Sequence, residues 1–314
     1  MKKDNLYDLI IIGAGPAGLS AAIYGIRAGF KTLVLEQAAM DGGQVLNTYE
    51  VDNYPGLPGI NGFDLGTRFA EHAKGLGVEN MTTQVLEVIS DPEGKVKTVR
   101  TSDGDILARA VILAAGASHA LLKVPGEAEL NGKGVSYCAT CDGAFFRKKE
   151  VAVVGGGDVA VEDAIYLAGL CEKVYLIHRR NELRAAMSLQ ETMKKLPNVE
   201  ILWEYVVEEI CGEDQVSSLR LRHVGNRKER LLPVAGVFIA VGIRPNSELF
   251  ASLVSLDEQG YVKAGEDCIT NMPGIFAAGD IRTKKLRQIV TAAADGANAA
   301  ASAEYYLRIE KENN

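Results

Sequence analysis

One stretch of this sequence occurs twice, 142 residues apart, and the repeat limits the folds open to the chain. The first copy runs Leu9-Ile10-Ile11-Ile12-Gly13-Ala14-Gly15-Pro16-Ala17-Gly18 and reaches Leu33-Val34-Leu35-Glu36. The second runs Val151-Ala152-Val153-Val154-Gly155-Gly156-Gly157-Asp158-Val159-Ala160 and reaches Val174-Tyr175-Leu176-Ile177-His178. In this register Gly155 falls on Gly13, Ala164-Ile165-Tyr166 on Ala22-Ile23-Tyr24, and His178 on Glu36. Each copy reads as a buried strand, a glycine turn, a helix and a second strand, which is a βαβ unit.

Each copy has what a dinucleotide site needs. The first glycine permits a tight turn, the second lets the backbone approach a pyrophosphate, and the third position must be small for helix–strand packing. The pyrophosphate then rests on the unpaired N–H groups and positive end of the following helix. Two glycine turns in a merely structural protein are the alternative, and the matched spacing of both copies argues against it. The expected fold is therefore α/β with two Rossmann-like dinucleotide-binding domains. The copies differ at the end of their second strand. Glu36 offers a carboxylate to the diol of an adenosine ribose. In the second copy His178-Arg179-Arg180 replaces the acid, with Arg184 one turn further on. Guanidinium groups there suit a 2′-phosphate, so NADPH is the expected ligand, with a solvated basic corner as the other reading.

Two further strand ends, Val111-Ile112-Leu113-Ala114-Ala115-Gly116 and Gly274-Ile275-Phe276-Ala277-Ala278-Gly279-Asp280, flank the second copy. An alanine-rich helix is expected over Gln288–Leu307. Cofactor-like elements thus stand at both chain ends, with the second βαβ unit inserted between them. The expected layout is one domain from 1–119 with 247–314 and another from 120–246, which suits a length of 314 residues. A net charge of −7 argues against nucleic acid or an anionic membrane as partner. Met1-Lys2-Lys3 before the apolar run Leu9–Ile26 superficially resembles a signal peptide or membrane helix. Gly13, Gly15, Pro16, Gly18 and Gly25 interrupt that run and no small-residue cleavage site follows, so a cytoplasmic protein is expected.

The chemistry is expected in the inserted domain. Cys138-Ala139-Thr140-Cys141-Asp142 lies ten residues before the strand that begins at Val151. C-x-x-C in such a setting is a redox dithiol or half of a zinc site. Zinc would need two further ligands, and Cys171, Cys211 and Cys268 are scattered, so no metal is expected. A dithiol is a natural electron stop between a flavin and a protein disulfide. Asp142 is the nearest group to protonate a departing sulfur if burial raises its pKa. An ordinary helix N-cap is its alternative role. Cys171, Cys211 and Cys268 read as small buried fillers, and Trp203 as packed within a strand. His72, His119 and His223 receive no role.

Cys-Ala-Thr-Cys-Asp-Gly at 138–143, both glycine turns, His-Arg-Arg followed by Arg184, and Phe276-Ala277-Ala278-Gly279-Asp280 together resemble the bacterial low-molecular-weight thioredoxin reductases, over essentially the whole chain. The resemblance implies a homodimer with one FAD per subunit, NADPH as donor, and thioredoxin or a thioredoxin-like protein as substrate. It implies that Gly13, Gly15, Pro16, Ala17 and Gly18 hold the FAD pyrophosphate, and Glu36 with Gln37 the adenosine ribose. Gly43, Gln44, Asn53, Gly116 and Gly279 become further FAD contacts, Asp280 binds the ribityl chain, and Arg287, Gln288 and Ile289 line the flavin. Gly157, Asp158 and Val159 would hold the NADPH pyrophosphate, and His178, Arg179, Arg180 and Arg184 its 2′-phosphate. Cys138, Cys141 and Asp142 would be catalytic. It also implies that the inserted domain rotates between half-reactions, hinged near 117–122 and 244–248.

Two positions depart from the family pattern. Val159 stands where Ser or Thr is usual, so a hydroxyl contact to the NADPH pyrophosphate is expected to be lost and binding to be weaker. Leu286 replaces a frequent aromatic residue beside the flavin. Competing readings are a ferredoxin-dependent flavin enzyme, which would carry a degraded NADPH site, and a non-catalytic redox sensor.

Overall fold

The structure is a computed structural model and describes residues 6–48, 51, 53–91 and 94–312. Met1-Lys2-Lys3 lie outside them. The described residues form two compact units, one taking them from 6–47, 51–118 and 244–312, the other taking Thr48 and 119–243.

The first unit opens with β1 (Leu6–Ile12), α1 (Pro16–Arg27) and β2 (Thr32–Glu36). β1 and β2 pair in parallel, Leu9 opposite Thr32 and Ile12 opposite Leu35. Both faces of such a sheet are covered, so its strands are apolar throughout. Leu9 and Ile11 enter one core and Ile10 and Ile12 the other. Pro16 begins α1, where its fixed φ and missing N–H suit the first helical position. Next come α2 (Gly62–Gly75), capped by the Asn61 side chain, then β3 (Glu79–Thr82), β4 (Val85–Ser90), β5 (Lys97–Thr101) and β6 (Gly104–Leu113). The strand order is β3-β2-β1-β6-β5-β4, parallel from β3 to β6 and antiparallel beyond.

β7 (Ala117–His119) leads into the second unit. There β8 (Val135–Ser136) and α3 (Ala139–Asp142) precede the repeated motif, β9 (Glu150–Gly155), α4 (Asp158–Ala168) and β10 (Lys173–His178). α5 (Met187–Lys194) and β11 (Val199–Trp203) follow. A separate antiparallel sheet of β12 (Tyr205–Gly212), β13 (Val216–His223) and β14 (Glu229–Pro233) interrupts the parallel pattern. β15 (Gly236–Ala240) then completes a parallel sheet of order β11-β10-β9-β15-β8. Packing repeats along with sequence. Val151 and Val153 join one core with Leu176 and Phe238, while Ala152 and Val154 join the other with Ile177 and Ile239. Trp203 ends β11 and meets the His178 ring edge-on at 6.3 Å between centroids.

β16 (Ile243–Pro245) pairs with β7, so the outgoing and returning crossings run side by side. β17 (Ile275–Ala277) pairs with β6, Ile275 opposite Val111 and Ala277 opposite Leu113. α6 (Ile289–Glu312) starts one residue after the expected helix and extends past Leu307. It packs closely on α1: Ser20 donates to the Ala293 carbonyl at 2.7 Å, and a methyl group on Gly296 would overlap the Ala17 carbonyl. Among the described residues no helix is long and apolar enough to cross a membrane.

Candidate active site

In the first unit the turn after β1 forms an open cradle. Gly13 has φ +108°, a conformation that L side chains rarely adopt, and a methyl group there would overlap the Ala114 carbonyl. Gly18 lies so close under Gly13 that no side chain fits. Gly15 caps α1 without a side-chain hydrogen bond, and a methyl group on it would meet nothing nearer than the Gly43 Cα at 4.0 Å. The helix thus presents uncapped N–H groups to open space, which is the arrangement an anion takes. Glu36 Oε2 accepts the Ala14 N–H at 2.8 Å and Oε1 the Ala38 N–H at 2.9 Å. A carboxylate offers about four lone-pair sites, so acceptor capacity remains for a ribose diol. Gln37 is exposed beside it.

The same unit also holds the other positions expected to contact FAD. Gln44 donates to the Ala117 carbonyl, and Asn53 donates to Gln288 Oε1 at 3.0 Å. Gly116 has φ +66° and free space around its Cα, Gly279 has φ +77°, and Ile289 is half-buried at the start of α6. Asp280 follows Gly279. Burial raises its carboxyl above the usual range, partly opposed by Lys284 and Arg287. Its Oδ1 is buried and has no hydrogen-bond partner among the described residues, and neither has Arg287 Nε. The Arg287 guanidinium lies 4.0 Å over the Tyr261 ring, a cation–π platform that fixes its direction.

A buried carboxylate stands behind Asp280. Asp295 is 4% exposed and accepts the Gly279 N–H at 3.0 Å, Arg282 Nε at 2.8 Å and Lys284 Nζ at 2.9 Å. It thereby ties α6 to the residue that aims Asp280. Neither Asp295 nor Tyr261 stood out in the sequence. An acid in an alanine-rich helix and a tyrosine in a loop carry no local sign of being buried.

In the second unit the repeated turn again leaves a cradle open. Gly157 caps α4 with no side-chain bond, and a methyl group on it would meet nothing within 4 Å. Asp158 Oδ1 accepts the Ala186 N–H at 2.7 Å, and the Arg184 N–H donates to the Gly156 carbonyl at 2.7 Å. Arg179, Arg180, Arg184 and Val159 are exposed around this turn. His178 is placed differently. It is 6% exposed, its ring packs against Gly156, and its Nε2 has no hydrogen-bond partner among the described residues. Burial lowers its pKa, and Arg180 and Arg184 push the same way. The basic cluster therefore comprises three exposed guanidinium groups with a buried imidazole behind them.

The dithiol lies in the same unit. Cys138 and Cys141 are joined in a disulfide with Cα atoms 5.3 Å apart, Cys138 capping α3. Asp142 ends α3, and its side chain makes no capping bond, so the N-cap role is absent. Ser136 donates to Asp142 Oδ2 at 2.6 Å, while Oδ1 is buried with no partner among the described residues. Burial raises the Asp142 carboxyl above the usual range, with the Ser136 hydroxyl opposing. Cys171 and Cys268 are buried free thiols, as expected of fillers, whereas Cys211 on β12 is half-buried. Among the described residues no group of three or more His, Cys, Asp or Glu side chains could hold a metal.

Known proteins similar to this chain are thioredoxin reductases. The thioredoxin reductase of Listeria innocua is 48% identical over 311 residues, covering 99% of this chain and 97% of the relative. That of Bacillus subtilis is 46% identical over 308 residues, covering 98% and 96%. The crystal structure of thioredoxin reductase from Streptococcus pyogenes matches with a TM-score of 0.92 at 42% identity, covering 98% of this chain and all of the other. Residues 7–296 match the pyridine nucleotide-disulphide oxidoreductase family. The chain belongs to that family. Within it the chain stands with the thioredoxin reductases. As a pyridine nucleotide-disulphide oxidoreductase it works with a flavin and a pyridine nucleotide. The residues present fit both groups: two uncapped glycine cradles, and in the first unit the buried Asp280 Oδ1 and Arg287 Nε, which have no hydrogen-bond partner among the described residues.

Proposed function

We propose that this chain is a thioredoxin-disulfide reductase that moves two electrons from NADPH through FAD and the Cys138–Cys141 dithiol to the disulfide of thioredoxin or a thioredoxin-like protein. The observation that carries the reading is the Cys138–Cys141 disulfide followed directly by the half-buried Asp142, in the unit that also holds the second glycine turn. Bound FAD supplies a two-electron relay that takes a hydride from the nicotinamide and reduces a disulfide.

The first unit is read as the FAD domain. The N–H groups at the start of α1, with Gly13, Gly15, Pro16, Ala17 and Gly18, hold the pyrophosphate, and Glu36 and Gln37 the ribose. Gly43, Gln44, Asn53, Gly116 and Gly279 frame the site. Asp280 accepts ribityl hydroxyls, and Arg287, Gln288 and Ile289 line the flavin. The second unit is read as the NADPH domain. Gly157, Asp158 and Val159 take the pyrophosphate, and Arg179, Arg180 and Arg184 the 2′-phosphate, with His178 supporting them from behind. Because dithiol and nicotinamide site share one unit, the two half-reactions require that unit to rotate about the β7 and β16 crossings.

At the dithiol, two electrons open the S–S bond, one sulfur remaining a thiolate and the other taking a proton from Asp142. The thiolate attacks the thioredoxin disulfide, forming a mixed disulfide and expelling one thioredoxin sulfur. The partner cysteine returns its proton to the Asp142 carboxylate and attacks the mixed disulfide as a thiolate, which restores Cys138–Cys141 and releases the second thioredoxin sulfur. The family resemblance supports a homodimer working in the cytoplasm.

The test follows NADPH oxidation by the purified, FAD-loaded protein with oxidised thioredoxin, with NADH in parallel and Cys138→Ser as control. Oxidation specific to NADPH and abolished by the substitution is the expected outcome. Absence of flavin bleaching by NADPH would sink the donor assignment and favour a ferredoxin donor.

A further inference from the structure

We propose that Ser136 is a positioning residue for the Asp142 acid: its hydroxyl engages Oδ2 and so leaves the transferable proton on Oδ1. This rests on the reading of Asp142 as the acid of the dithiol. Ser136 ends β8, two residues before Cys138, and is 4% exposed. Its Oγ accepts the Cys138 N–H at 3.1 Å and lies 2.6 Å from Asp142 Oδ2. The other acceptor in reach, the Cys138 carbonyl, stands at 3.3 Å. The hydroxyl hydrogen goes to the nearer oxygen, which is also the one that becomes charged. A continuous chain results, from the Cys138 backbone N–H through Ser136 Oγ–H to Asp142 Oδ2.

A carboxyl that accepts a hydrogen bond at one oxygen keeps its proton on the other. Asp142 Oδ1 is that other oxygen, buried and with no hydrogen-bond partner among the described residues. When the Cys138–Cys141 bond takes up the two electrons that the enzyme's activity delivers, one sulfur stays a thiolate and the second receives the Oδ1 proton. Asp142 is left as a carboxylate, and the Ser136 bond strengthens because its acceptor now carries the charge. Ser136 thus stabilises the acid's product form while directing its proton, and the same hydroxyl holds the Cys138 backbone in place.

The neighbouring titratable groups are few. Cys138 and Cys141 lie on the same turn, with Tyr137 preceding them. α4, packed against α3, carries Asp158, Glu162, Asp163 and Tyr166, and the Tyr166 ring borders Gly143. Among these, no charged group contributes to the raised Asp142 carboxyl; burial raises it and the Ser136 hydroxyl opposes.

Infrared difference spectra of the FAD-loaded protein against Asp142→Asn isolate the protonated carboxyl band of Asp142, and its loss with rising pH gives the titration directly. Ser136→Ala removes the donor that favours the carboxylate. It is expected to move that titration upward by about one pH unit, the size of a hydrogen bond to a charged group. The alkaline limb of disulfide turnover should move with it, and Ser136→Thr, which keeps the hydroxyl, should restore both. A Ser136→Ala protein whose band and limb stay at the wild-type pH overturns the assignment, as does an equal shift in the Ala and Thr variants. If Asp142→Asn keeps wild-type turnover and its alkaline limb, the acid reading itself fails, and the role of Ser136 with it.

Discussion

The backbone N–H of Ala14 donates to Glu36 Oε2 at 2.8 Å, so the acid that ends β2 also fastens the glycine turn that ends β1. Glu36→Ala removes this brace along with the expected ribose contact. A hydrogen bond to a charged group contributes about 1.5–3 kcal/mol, so FAD binding should weaken roughly tenfold to a hundredfold. Glu36→Gln keeps one acceptor and should lose less. Flavin released on repeated ultrafiltration measures both, and retention equal to wild type would show that Glu36 serves neither purpose.

In the second unit the corresponding position works by contact. A methyl group on Gly156 would overlap the His178 ring, so Gly156→Ala overpacks the turn. Overpacking of this kind costs about 1–3 kcal/mol. The substitution should lower the thermal midpoint and raise KM for NADPH. Adding His178→Ala should recover most of the loss, because the clashing ring is gone. A double-mutant cycle tests this, and additive effects would mean that the two residues do not touch.

These two positions also indicate how much the sequence discloses. Glu36 and His178 occupy one register of the repeat, and the repeat was legible because strand burial and glycine turns constrain residue type at fixed spacing. The dithiol was legible for the same reason: C-x-x-C brings two sulfurs within bonding reach on a single turn. The direction of a side chain was not legible. Nothing in His178-Arg179-Arg180 says that the imidazole folds back under Gly156 while the guanidinium groups stay exposed. The separate antiparallel sheet of β12, β13 and β14 was likewise unseen. Ser136 and Asp295 were missed because their partners are set by packing between elements.

Asp295 gives the clearest consequence of such a tertiary contact. Its carboxylate is the shared acceptor for Arg282, Lys284 and the Gly279 N–H. Asp295→Asn keeps one oxygen for Gly279 but leaves two buried cations without their counter-charge. Removing one partner of a buried pair costs about 3–5 kcal/mol. Both Asp295→Asn and Asp295→Ala should therefore melt well below wild type. Only the Ala variant also frees Gly279, so it should lose more flavin at a temperature where both remain folded. Thermal denaturation and flavin fluorescence separate the two effects. Equal flavin retention in both variants would show that the Gly279 bond does not govern the site.

The free thiols give a prediction in pH. Burial pushes the Cys171 thiol up to about 11, and burial followed by the Asp295 charge pushes Cys268 up to about 12. A thiol alkylates as its thiolate, which appears only as the pH rises through the pKa. Near neutrality both residues therefore stay protonated and out of reach, while half-buried Cys211 remains open to reagent. Iodoacetamide at about pH 8 should add one carbamidomethyl group to the oxidised protein, at Cys211. Reduction by NADPH through the bound flavin, or by dithiothreitol, should expose two more, at Cys138 and Cys141. Cys171 and Cys268 should label only on denaturation. Peptide mass spectrometry reads each site separately. Labelling of Cys171 or Cys268 in the folded protein at that pH would show that their surroundings open to solvent on the timescale of the reaction.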